Sequence, residues 1–164
     1  MPTPDAHLPP GHRIERARQS DLPALIALLR DDHLGATREV DDPTPYEAAF
    51  AAIQAEPSHF LAVVRATDGT DPATPLAGTM HLTLLPGLSR AGATRLQVEA
   101  VRIASSARGQ GLGAAMITWA HAWGAENGAT IAQLTSDSSR TDAHRFYERL
   151  GYTTSHVGMK RPLP

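Results

Sequence analysis

The segment from Leu96 to Asn127 constrains the fold more than any other. Leu96 to Ile103 alternates as a β-strand, with Leu96, Val98, Ala100 and Arg102 expected on one face and Gln97, Glu99, Val101 and Ile103 on the other. The run Arg108-Gly109-Gln110-Gly111-Leu112-Gly113 follows, and Leu112, Met116, Trp119 and Trp123 then recur at helical spacing through Asn127. A strand that enters a glycine-rich turn and opens a helix is a device for holding phosphate. Glycines let backbone N–H groups converge without a Cβ in the way, and the helix N-terminus adds partial positive charge. Arg108 places a full charge beside it.

Which phosphate is a separate question. Gly109-x-Gly111-x-x-Ala114 also satisfies a dinucleotide fingerprint, and Asp137 stands roughly where a ribose-binding acid belongs. The fold that uses this fingerprint usually begins with the unit and repeats βαβ after it. Here the loop comes late and leaves about 50 residues and only two more strands, which counts against that architecture. Dinucleotide binding stays an alternative, one that predicts stabilisation by NAD and none by coenzyme A. A Walker-type loop is excluded because no Gly-Lys-Ser/Thr follows the glycines.

The rest of the chain reads as alternating short elements. His12 to Ala17 is a first strand. Ser20-Asp21 is expected to cap a helix that buries Leu22, Leu25, Ile26, Leu28 and Leu29. A polar, acidic connection from Asp31 to Pro45 precedes a second helix carrying Tyr46, Ala49, Phe50 and Ile53. His59 to Val64 and Leu76 to Leu85 read as a strand hairpin across a turn-rich loop at 67–75. After the glycine loop and its helix, with Gly128 as the stop, come a strand at 130–135 and a helix from about Ser139 carrying Ala143, Phe146, Tyr147 and Leu150. A last strand is expected over Tyr152 to Met159. The order β-α-α-β-β-β-α-β-α-β implies a single α/β (α+β) domain with a mixed sheet. Residues 1–11, with four prolines and a glycine, read as a disordered tail before a domain spanning 12–164.

Composition removes several function classes. Fifteen Lys and Arg against seventeen Asp and Glu give a net charge of −2, against a protein built mainly to grip nucleic acid. Without cysteine there is no disulfide, no thiolate metal site and no cysteine acyl-enzyme. No apolar run approaches the roughly 18 residues of a membrane span. These features lead to the expectation of a soluble, cytoplasmic protein. The eight histidines show no His-Glu-x-x-His or comparable ligand spacing, so no metal is expected.

Two separated motifs then narrow the phosphate question. Arg108, Gly111 and Gly113 match an Arg/Gln-x-x-Gly-x-Gly/Ala pattern. Asp142-Ala-His-Arg-Phe-Tyr-Glu-Arg-Leu-Gly-Tyr152 is similar to an Ala-x-x-Phe-Tyr-Glu-x-x-Gly-Phe segment. Together with the element order, they make the chain resemble the GNAT superfamily of N-acetyltransferases from His12 to Lys160. The resemblance implies a mostly antiparallel sheet flanked by helices, in which two central strands splay around acetyl-coenzyme A. Backbone groups near Val101 and Ile103 would pair with the pantetheine amides. N–H groups across Gln110, Gly111, Leu112, Gly113 and Ala114, beside Arg108 and Gly109, would hold the pyrophosphate. A backbone N–H of the Val101 strand would polarise the thioester carbonyl. Arg140 stands where the family often has an Asn that contacts the coenzyme, and a guanidinium there could meet a phosphate instead.

Direct acyl transfer needs a base for the amine proton and an acid for the departing thiolate. Tyr147 matches the family's Tyr near the coenzyme sulfur and is the acid candidate. Core packing beside Phe146 is its competing role. Glu99 is the base candidate, against a competing role as a salt-bridged carboxylate with Arg95 or Arg102. His81 is a secondary base candidate. Trp119 and Trp123 read as core, and His144 as helix surface. Asp31, Asp32, Glu39, Asp41 and Asp42 could attract a cationic amine, but such a loop is more often simply solvated. The expectation is therefore direct acetyl transfer from acetyl-coenzyme A to a small-molecule amine. The alternatives are a protein lysine or N-terminal acetyltransferase and a non-catalytic acyl-coenzyme A-binding module. The resemblance also allows a homodimer.

Overall fold

A computed structural model of the chain describes residues 8–31, 35–67 and 75–164. Most of the 67–75 loop, Asp32 and the first seven residues of the expected tail lie outside that range. Leu8 already packs against the main core, so the folded part starts upstream of His12.

Five strands form one sheet in sequence order: β1 (His12–Arg16), β2 (His59–Ala66), β3 (Gly78–Pro86), β4 (Thr94–Ile103) and β5 (Ala129–Leu134). The first four pair antiparallel. β5 joins β4 in parallel, which makes the sheet mixed and mostly antiparallel, as expected. Among the described residues, four helices of nine or more residues flank it: α1 (Leu22–Arg30), α2 (Thr44–Ala55), α3 (Leu112–Glu126) and α4 (Thr141–Arg149).

Each sheet face has its own core. Met80, Leu82, Leu96 and Val98 pack beneath Leu112, Met116, Ile117 and Trp119 of α3. On the other face Val63 and Leu76 meet Leu22, Leu25 and Leu28 of α1 and Phe50 of α2. Each such side chain contributes roughly 1.5–3 kcal/mol by leaving water. Gly124 lets α3 lie close on β4, since a Cβ there would stand 2.7 Å from Leu96 Cδ2. An ionic cluster ties β1, β2 and the entry to α1 together. Arg65 Nε donates to Glu15 Oε1 at 2.7 Å, and its Nη2 binds Asp21 Oδ1. Asp21 does not cap α1: its other oxygen accepts the Arg18 N–H at 2.8 Å.

Two expectations need correction. Tyr152 to Met159 is not a strand. The Tyr152 N–H turns back to the Tyr147 carbonyl at the end of α4, and Val157 and Met159 are 85% and 90% exposed. With no face to bury, that alternation specifies no register.

The regular alternation assigned to β4 is also broken. Glu99 pairs with His81 and Arg102 with Thr79, so three residues of β4 span two of β3. This is a β-bulge, and Ala100 sits in it at φ 50°. Val101 and Ile103 consequently pack with Val98 toward α3. Glu99, level with His81 and Leu61, lies on the α1/α2 face instead.

Candidate active site

The bulge and the β4–β5 junction shape the site. Pairing with β5 ends at Val98↔Leu134, while β4 continues to Ile103. The two strands therefore part, and the last residues of β4 face the gap without a ladder partner from β5. The glycine loop closes the end of this gap. Gly109 and Gly111 both have φ 78°, a conformation that a Cβ disfavours. Gly111 is the N-cap of α3, and no side chain caps that end, so the first-turn N–H groups stay open toward the loop. Those groups belong to Leu112, Gly113 and Ala114; beside them, the Gln110 side chain is spent on the Ser106 carbonyl at 3.2 Å.

The two sequence motifs meet at Gly113. A Cβ at this position would lie 3.4 Å from Phe146 Cζ and 3.8 Å from Ile103 Cγ1. Helix α4 thus reaches the loop through Phe146 and sets Tyr147 beside it, with ring centroids 5.0 Å apart. Tyr147 also meets Tyr152 edge-on at 5.7 Å. Burial pushes the Tyr147 hydroxyl above its ordinary pKa, while the charges of Arg140 and Arg102 oppose that rise. The phenol is therefore protonated at neutral pH, as a proton donor must be. Arg140 forms the N-cap of α4, which puts its charge within reach of Tyr147.

Arg108 is not turned outward. Its Nε donates to the Ile103 carbonyl at 3.1 Å, and its Nη2 donates to the Asp31 carbonyl and carboxylate at 3.0 and 3.3 Å. The Val101 carbonyl accepts Nη1 of Arg102 at 2.9 Å.

Glu99 does not join Val101 and Ile103. It is exposed on the far face, directly across from His81. His81 Nε2 lies 2.8 Å from His59 Nδ1, the rings stack at 5.0 Å, and Thr83 Oγ1 lies 3.3 Å from the same His59 nitrogen. Burial, then the neighbouring His59 charge, lowers the His81 pKa to about 4. His81 is therefore neutral at pH 7 and a weak base. The partnership with His59 went unforeseen, because two histidines 22 residues apart carry no spacing signal.

The acidic connection is largely spent internally. Asp41 pairs with Arg30 at 3.0 Å, Glu39 accepts the Tyr46 hydroxyl at 2.7 Å, and Asp42 accepts the Thr44 N–H at 3.0 Å. Among the described residues, no three His, Cys, Asp or Glu side chains gather as a metal site, and no helix is long and apolar enough to cross a membrane. A surface groove of about 540 Å³ between β1 and α2, lined by Glu15, Arg18, Phe50 and Gln54, contains none of the candidate residues.

Comparison with known proteins agrees with this geometry. A curated relative, aminoalkylphosphonate N-acetyltransferase of Salmonella typhimurium (strain LT2), is 39% identical over 56 residues, covering 34% of this chain and only 36% of the relative. A crystal structure of a transcriptional regulator from Bacillus halodurans C-125 superposes with a TM-score of 0.85 at 35% identity, over 93% of this chain and 99% of that one. AAC(6')-Iy, in complex with the bisubstrate analog CoA-S-monomethyl-acetylneamine, shares the fold at a TM-score of 0.72 and 13% identity, over 93% and 99% of the two chains. The model of the acetyltransferase (GNAT) family matches residues 22–152, which include the splayed strands, the glycine loop and the Phe146-Tyr147 helix, and the chain belongs to that family.

Proposed function

We propose that the protein transfers an acetyl group from acetyl-coenzyme A directly to the amine of a small molecule in the cytoplasm, with residues 12–164 as its catalytic domain. One observation carries the reading: the uncapped N-terminus of α3, reached through two left-handed glycines, opens beside the unladdered end of β4. A diphosphate needs converging N–H groups, and a pantetheine arm needs free strand backbone beside them. The N–H groups are present and the end of β4 has no β5 partner, with the Val101 and Ile103 carbonyls each accepting one arginine N–H and keeping a second lone pair for the co-substrate.

In this reading the amine nitrogen attacks the thioester carbonyl, whose developing negative charge is met by a backbone N–H of the β4 segment at Val101. The C–S bond then breaks. Tyr147 gives its proton to the departing sulfur, and burial favours this by keeping the hydroxyl protonated. The proton released from nitrogen leaves through Glu99 and water, since Glu99 is the exposed carboxylate next to the bulge. His81 holds its proton too weakly to be the main sink. The small-molecule acceptor is supported by the relative that acts on aminoalkylphosphonates.

The test is thiol release from acetyl-coenzyme A across amino acids, aminoalkylphosphonates, aminoglycosides, polyamines and peptides. Turnover with a small amine is expected. Turnover with peptides alone would move the acceptor class to proteins. Coenzyme binding without thiol release would leave an acyl-coenzyme A-binding module.

A further inference from the structure

The end of α1 and the start of the glycine loop are joined by contacts that the proposed reaction does not use. The loop's arginine, Arg108, spends its guanidinium on protein: Nε on the Ile103 carbonyl, and Nη2 on both the carbonyl and the carboxylate of Asp31. Asp31 Oδ2 also accepts the Ser105 N–H at 3.1 Å, at the turn that leads from β4 into the loop. One carboxylate therefore holds the loop's entry at Ser105 and its arginine at Arg108. The Asp31 carbonyl, just past the last turn of α1, gains the cation that a helix C-terminus favours.

We propose that Asp31 is a positioning residue for the coenzyme loop, and that Arg108 supports donor binding by bracing the loop against α1 rather than by meeting phosphate. Resting on the functional reading above, this assigns a role to a residue of α1, more than 70 positions upstream of the loop. Three features favour the brace. The Arg108 contacts tie the end of β4 at Ile103 to the end of α1 at Asp31. Its fork engages two separate acceptors on Asp31. An adjacent carboxylate would also repel a diphosphate drawn to the same guanidinium.

The test is coenzyme A binding by titration calorimetry to the full chain, with steady-state kinetics alongside. Wild-type protein that fails to bind coenzyme A would defeat the functional reading itself, independently of the brace. Given wild-type binding, Asp31→Ala is expected to weaken it about fivefold, the upper end for a half-exposed ion pair. Asp31→Asn, which keeps an acceptor oxygen, should fall between the two. The KM for acetyl-coenzyme A should rise while kcat stays within about twofold. Arg108→Lys keeps the charge but loses the fork, so it should weaken binding as Asp31→Ala does, and the double variant should be no worse than either single one. Both side chains are about half exposed, so the variants should fold. Asp31→Ala protein that binds coenzyme A as tightly as wild type, or more tightly, overturns the proposal. So does strict additivity of the two substitutions.

Discussion

Gly78 offers a direct test of how closely the sheet is packed beneath the site. It pairs with Ile103 at the end of β4, past the point where β4 and β5 part. A Cβ at this position would stand 3.0 Å from the Arg102 carbonyl oxygen, 3.0 Å from Met116 Sδ and 3.3 Å from Ile103 Cδ1. Met116 is fully buried, and the Arg102 carbonyl belongs to the strand backbone. Overpacking of this kind costs about 1–3 kcal/mol. Removing a glycine from a strand returns roughly 0.5–1 kcal/mol. Gly78→Ala should therefore destabilise the fold by about 1 kcal/mol, or roughly 2–4 °C in a chain of this size. Gly87→Ala is the control, because its nearest neighbour would be 3.6 Å away, and it should stabilise by about 0.4–1 kcal/mol. Thermal and urea unfolding of both variants decide the matter. A Gly78→Ala protein at least as stable as wild type would refute the packing argument.

Other outcomes follow from the same geometry. Tyr147→Phe should lower kcat by about ten- to a hundredfold while coenzyme A binding is unchanged, and wild-type turnover would remove Tyr147 from proton transfer. Asp21→Ala leaves the buried Arg65 without one of its two carboxylates and should cost about 3 kcal/mol in urea unfolding. A loss under 1 kcal/mol would show that Glu15 alone suffices. His81, with its pKa lowered to about 4, stays neutral in the folded chain where the unfolded chain binds a proton. Its contribution is therefore full above about pH 6.5 and lost as pH falls toward 4, by at most about 3 kcal/mol. His81→Gln should flatten that acid-side slope, and an unchanged slope would assign it to other groups.

Much of this was legible in the sequence, and the failures have physical causes. The glycine loop and the helix after it were readable because left-handed turns select glycine and buried helix faces repeat every three to four residues. The meeting of Gly113 with Phe146 is tertiary, yet the two motifs implied it. The bulge left no mark, because its left-handed residue is Ala100 and not a glycine. A strict two-residue alternation therefore put Glu99 on the wrong face relative to Val101. The histidine pair and the Asp31–Arg108 contact depend on strand register and on where α1 ends, neither of which a single chain's pattern fixes. The missing last strand failed in the opposite way: Tyr152 to Met159 reads as a strand, but Tyr152 alone of that segment packs on the core and no ladder forms.

The kink at Ala100 also governs how this gene can change. A single-residue deletion between Glu99 and Val101 would restore an unbroken ladder with β3, an alteration that looks harmless by length. It would leave Arg102 opposite Thr79 and Ile103 opposite Gly78, so the side chains keep their faces, but it would take out the bend that Ala100 puts into β4 just past its last pair with β5. The inserted residue thus shapes the path of the strand, while the pairing beyond it is the one a regular ladder would keep.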